Sequence, residues 1–153
     1  MRVLVHYEDE LGTGVCTESF FSRVATETLA RCPADLIDGK EEITLTAVAV
    51  SEERIRTLNA SYRQKEAVTD ILSFSEYVDT EAFRQDHERV IFLGELFLCQ
   101  SYIARSAQED SVTLEHEMAF VFSHGILHLL GYDHSEEMFA IQDQVTEQVM
   151  KKN

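Results

Sequence analysis

Residues 111–134 read SVTLEHEMAFVFSHGILHLLGYDH, and the fold turns on this stretch. Written as a helix over 111–130, it carries Leu114, Met118, Phe120, Val121, Phe122, Ile126 and Leu127 on nearly every side. A helix that is apolar all round is buried all round, so this one is expected to run through the core. Gly131 ends it, because a residue without Cβ takes up a left-handed turn at no steric cost. Three imidazoles, His124, His128 and His134, interrupt the apolar run. Burying each alone would be costly; a shared partner removes that cost.

Histidines four residues apart share a helix face and stand one turn, ~5.4 Å, apart along the axis. His124 and His128 can therefore bracket a single ion, with Zn–N bonds of about 2.0–2.1 Å. His134 lies beyond the glycine corner and can swing back to complete the set. Three neutral imidazoles leave a fourth position open, the pattern of a catalytic zinc rather than a structural one. One Zn2+ per chain is expected, although other first-row divalent ions accept the same donors. The spacing is similar to that of the metzincin proteases, which place a glutamate base directly after the first histidine. Here that position is Gly125. Either another group activates water or the reaction is not peptide hydrolysis. His6, His87 and His116 are weaker candidates, and the last two are expected to be solvated.

Outward from this helix, Arg2–Tyr7 alternates as a strand does, with Val3 and Val5 opposed to Leu4 and His6. Ile43–Val50 (ITLTAVAV), Thr69–Phe74 (TDILSF) and Val90–Cys99 (VIFLGELFLC) read as three more strands, with Gly94 a bulge or a point of close approach. Cys16–Arg31 suits an amphipathic helix stopped near Pro33. Ser51 caps another that carries Ile55, Leu58 and Tyr62 on one face, and Ser135 caps the last, running to Lys151. Ser75–Arg89 is polar and mostly acidic, and reads as a surface loop. The expectation is one α/β domain over residues 1–153: a small, mostly mixed sheet of about four strands, a buried metal-bearing helix and flanking helices.

Of the 153 residues 44% are apolar, enough for a real core, and no apolar run approaches the ~20 residues that span a bilayer. The first residues lack a secretory signal, so a cytoplasmic protein without a membrane partner is expected. Cys16, Cys32 and Cys99 are odd in number and widely spaced, which argues for reduced thiols and against a thiolate zinc site. The formal charge of -15 disfavours non-specific binding to nucleic acid. A phosphate-bearing substrate would need a local basic patch and the charge of a metal.

The block HGILHLLGYDH (His124–His134) resembles the signature of the bacterial YbeY endoribonucleases, the rRNA maturation factors. The resemblance extends upstream to Asn59, Tyr62, Arg63, TDILSF (Thr69–Phe74) and LGEL (Leu93–Leu96), in matching order and spacing. Two positions depart from the family pattern. Ser75 stands where proline is usual, and Glu95 where aspartate is usual; if Glu95 helps position the site, it does so with one more methylene. The resemblance implies a cytoplasmic, zinc-dependent endoribonuclease acting on single-stranded RNA in 16S rRNA 3′-end maturation and ribosome quality control, with ribosomal particles as partners. It also makes Arg63 the catalytic candidate, supported by the cluster Arg54, Arg56, Arg63 and Lys65 and by the planar fork that guanidinium offers to phosphate.

Asp70 could orient a histidine, pair with Arg63 or cap the start of its strand. Glu117 shares the helix stripe of His124 but sits ~10.5 Å up the axis, too far to be a ligand; it could support a ligand from behind or simply answer the helix dipole in the first turns. Asp133 could accept from a ligand ring or cap the turn. No general base is identified. Two competing readings stay open: a zinc hydrolase of another class, such as a peptidase, and a non-catalytic metal-bearing ribosome-assembly factor. The absence of C-x-x-C argues against a zinc deaminase.

Overall fold

The computed structural model describes residues 1–151. Four strands form one mixed sheet in the order β1-β2-β4-β3: β1 (Arg2–Asp9), β2 (Glu42–Val50), β3 (Ile71–Ser75) and β4 (Val90–Cys99). β1, β2 and β4 run parallel, and β3 pairs antiparallel with β4 at the sheet edge. Seven helices surround it: α1 (Glu18–Ala30), α2 (Ala34–Ile37), α3 (Glu52–Arg63), α4 (Thr80–Arg84), α5 (Gln100–Glu109), α6 (Leu114–Leu129) and α7 (Glu136–Lys151). None of them is long and apolar enough to cross a membrane.

Period-2 alternation sends Val5, Ile43, Leu45, Leu96 and Leu98 to one face of the sheet, where α6 lies. Phe21, Val24 and Leu29 of α1 and Met138, Ile141 and Val145 of α7 close over α6 from the other side. The all-round apolar reading of α6 is thus accounted for: Met118, Ala119, Phe122, Ile126 and Leu127 are fully buried. A smaller cluster on the opposite face joins Val48, Val50, Leu72 and Cys99 to Ile55 and Leu58 of α3.

Side-chain caps fix the helix starts, those at Ser51 and Ser135 where the sequence suggests them and those at Thr17 and Thr113 in addition. The side chains of Thr17, Ser51, Thr113 and Ser135 each accept a backbone N–H in the first turn of the helix that follows. Two glycines are required by contact as well as by conformation. Gly94 (φ +138) lies at the bulge on β4, where a Cβ would stand 2.1 Å from the Phe74 carbonyl oxygen. Gly131 (φ +99) turns the chain against Asp79, whose carbonyl carbon would be 2.1 Å from a Cβ.

The segment 75–89 is not simply a surface loop. Asp79 caps α4, accepting from the Ala82 N–H at 2.8 Å, and Phe83 plugs the core with no exposure. α5, which follows β4 without a turn, and α2 are further helices absent from the reading of the sequence.

Candidate metal centre

α6 delivers His124 and His128 one turn apart, and the corner at Gly131 returns His134 to them. One ring nitrogen from each lies within 4.8 Å of the other two. His128 Nε2 and His134 Nε2 stand 2.9 and 3.4 Å from His124 Nε2. His124 and His128 are half-buried, while His134 is exposed and stacks on Phe139, ring centroids 5.9 Å apart.

The opposite ring nitrogens fix the tautomers. His128 Nδ1 is 3.0 Å from the Tyr132 carbonyl oxygen, which can only accept, so Nδ1 carries the proton. His124 Nδ1 is 3.2 Å from Gln142 Oε1, and Gln142 Nε2 donates in turn to the Phe120 carbonyl at 3.5 Å. That second bond sets the amide so that its oxygen faces the imidazole. Both Nε2 atoms therefore present lone pairs to each other at 2.9 Å, a repulsive arrangement unless a cation lies between them. Nitrogens held at ~2.0–2.1 Å in a tetrahedral set stand about 3.3–3.4 Å apart, close to what the chain supplies. Burial holds both rings below the usual histidine pKa, which keeps these donors neutral. The donor set fits a divalent ion.

The histidines open onto a cavity of about 430 Å³ whose wall includes Arg63, Asp70, Ser73 and Asp133. Arg63, at the end of α3, is exposed and in no ion pair among the described residues. Asp70 Oδ1 accepts from the Ile71 N–H at 2.7 Å and the Thr69 hydroxyl at 3.3 Å, capping the start of β3. Its charge also reaches His124, whose cationic form it favours. Ser75 turns its hydroxyl onto the Leu129 carbonyl at 2.6 Å, tying β3 to the last turn of α6.

Several side chains lie elsewhere than the sequence suggests. Asp133 lines the cavity, but the acceptors behind His124 and His128 are Gln142 and the Tyr132 carbonyl. Gln142 is fully buried on α7, and its only trace in the sequence is a polar residue on the inward stripe of Met138, Ile141 and Val145. Glu95 is on the far face of the sheet from the histidines, because the bulge at Gly94 reverses the alternation along β4. Gly125 faces the sheet, where a Cβ would meet Ile71 Cδ1 at 2.6 Å and Leu96 Cδ2 at 2.9 Å. A side chain at 125 would be forced into the packing between α6 and the sheet. His116 is half-buried rather than solvated, with Nδ1 enclosed and unpartnered. Glu117 reaches no ligand; burial, with Asp110 and Asp70 nearby, raises its pKa.

Residues 10–151 match the family model described as endoribonuclease YbeY. The chain belongs to the YbeY family. Relatives described as endoribonuclease YbeY include those of Lactobacillus acidophilus, 38% identical over 64% of this chain and 62% of the relative, and Heliobacterium modesticaldum, 44% identical over 63% and 61%. That of Macrococcus caseolyticus is 36% identical over 69% of this chain and 71% of its own length. The chain thus spans about six-tenths of the first YbeY relatives it matches, at 62% and 61% of their length. The solution structure of TM1509 from Thermotoga maritima has the same fold, with a TM-score of 0.59, 27% identity, and coverage of 97% of this chain and 90% of that one.

Proposed function

We propose that this chain is a single-domain, zinc-dependent endoribonuclease that hydrolyses phosphodiester bonds of single-stranded RNA. The cellular role proposed with it is cytoplasmic 16S rRNA 3′-end maturation and ribosome quality control on ribosomal particles. The observation that carries the reading is the pair of Nε2 lone pairs, with His134 alongside, converging in a cavity that Arg63 also lines. Family membership supplies the substrate class.

What a divalent cation contributes when held there is Lewis acidity, felt by water and by a phosphoryl oxygen alike. The chain's own residues do the rest. Gln142 and the Tyr132 carbonyl orient two rings and keep their donors deprotonated. The Arg63 guanidinium grips phosphate oxygens and offsets charge that builds as the phosphorus gains a fifth substituent. Asp70 Oδ2 makes no hydrogen bond among the described residues and is the acceptor assigned to the proton of the attacking water.

The test is cleavage of a labelled single-stranded RNA at a stated salt concentration, since phosphate contacts weaken as salt rises. Cleavage should vanish in His128→Ala, and in Arg63→Ala it should fall by about 100-fold or more. Intact RNA beside a digested casein panel would move the assignment to a peptidase. If neither is cut while ribosomal particles are bound, the chain is an assembly factor.

A further inference from the structure

β3 is an edge strand, and its consecutive side chains point to opposite faces. Ser73 and Ser75 line the histidine cavity, whereas Phe74 lines a second hollow on the outer face of the sheet. The end of α3 divides in the same way, Arg63 facing the first hollow and Tyr62 the second. The two hollows are thus back to back across one strand. The free edge of β3 runs between them.

The outer hollow has a volume of about 330 Å³ and is walled by Arg54, Leu58, Tyr62, Phe74, Glu95 and Phe97. Tyr62, Phe74 and Phe97 form an edge-to-face ladder with centroids 5.2 and 5.6 Å apart. Tyr62 is 65% exposed and leaves much of its ring open to solvent. The carboxylate of Glu95, which pairs across the sheet with Phe74, is in no ion pair or hydrogen bond among the described residues. Arg56, Arg63 and Lys65 are likewise free of ion pairs, and Arg54 pairs only with Glu10 at 3.4 Å. In a chain of net charge -15, residues 54–65 thus hold four cations close to Glu52, Glu53 and Glu66, with Arg54 on the outer hollow and Arg63 on the inner one.

We propose that the outer hollow is a nucleobase subsite, taking one base of a single-stranded RNA whose backbone crosses the free edge of β3 toward the histidine cavity. The proposal rests on the RNA-cleaving reading above and extends it. Aromatic faces stack bases irrespective of sequence, and the α3 cations meet the phosphates between the two hollows. Glu95 adds selectivity, because a carboxylate accepts from an exocyclic amino group such as cytosine N4 and repels the carbonyl oxygens of uracil. An apolar peptide would leave Glu95 unpaired. A cationic side chain would suit the ladder and Glu95 but meets Arg54 at the rim.

The experiment uses the full chain in EDTA, so that RNA is bound and not cut, and follows anisotropy of labelled 12-nucleotide oligo(C) and oligo(U). Oligo(C) should bind more tightly than oligo(U). Tyr62→Ala, a change at an exposed ring, should weaken both by roughly 5- to 100-fold with the thermal melt unaltered. Glu95→Gln should erase the margin of cytosine over uracil. Ultraviolet cross-linking should place the adduct on Tyr62, Phe74 or Phe97.

Unchanged binding by Tyr62→Ala together with an unchanged base margin in Glu95→Gln overturns the subsite. If wild-type chain still cuts RNA in that case, the nuclease reading stands without it. Binding through Tyr62 with no cleavage under any metal does the reverse. Loss of a basic peptide's binding in Tyr62→Ala, with RNA binding intact, would make this face a protein-docking surface and also overturn the subsite.

Discussion

Replacing Gln142 by methionine, of similar volume but without an amide, isolates the support behind the first ligand. The fully buried side chain gives up its bond to His124 Nδ1, 3.2 Å long, and a marginal one to the Phe120 carbonyl at 3.5 Å. A buried donor left unpaired costs about 1–3 kcal/mol; His124 is only half-buried, so the low end applies to the metal-free fold. The larger effect falls on the ion. Losing the partner that fixes a ligand's tautomer typically costs ~10–100-fold in metal affinity, or about 1.4–2.7 kcal/mol. Competition against a chromophoric chelator measures this directly, with circular dichroism to establish that the fold persists. Gln142→Glu should bind zinc at least as tightly as wild type, because a carboxylate is the stronger acceptor for the Nδ1–H. Wild-type zinc affinity in Gln142→Met would refute the tautomer argument, and with it the claim that α7 sets the donor at His124.

Three other outcomes are expected. Stripping metal with a chelator should leave the far-UV spectrum intact but lower the melting temperature, and zinc restored to 100 times its Kd should return about 2.7 kcal/mol, or roughly 5–10 °C. Gly94→Ala forces a Cβ onto the Phe74 carbonyl and should cost about 1–3 kcal/mol in urea denaturation from backbone strain alone, with zinc affinity reduced as β3 moves. The raised pKa of Glu117 means that its ionisation opposes folding: below the unfolded value of about 4.5 the carboxyl is neutral in both states, and stability is lost as pH rises through the folded pKa. Glu117→Gln should therefore melt higher than wild type at pH 7 and equally at pH 4; equal melting at pH 7 would refute the assignment.

Legibility in the sequence followed the strength of local patterns. The apolar wrap of α6 and the 4-and-6 spacing of its histidines are properties of a single segment, so both the buried helix and the convergence of the three rings could be read directly. All four strands were legible for the same reason. α4 was not, because one apolar residue, Phe83, carries its burial amid acidic neighbours, and the cap at Asp79 is hidden by composition. α5 begins at Gln100 where β4 stops at Cys99, and no turn residue marks the change of period. The face of Glu95 depends on a bulge, and a one-residue slip inverts every side chain beyond it. Gln142 could be suspected as a polar residue on an inward stripe, but which histidine it meets depends on how α7 crosses α6. The second hollow is tertiary altogether, assembled from α3, β3 and β4.

The corner at Gly131 leans on Asp79, and this contact has a bearing on how the molecule can be altered. Of the three converging imidazoles only His134 is not carried by a helix, so its aim is inherited from whatever buttresses that corner. The buttress comes from a stretch some fifty positions upstream that supplies none of the three imidazoles. Lengthening or stiffening the approach to α4 is consequently an adjusting screw: it can re-aim His134, and so retune metal grip, while every coordinating residue keeps its identity.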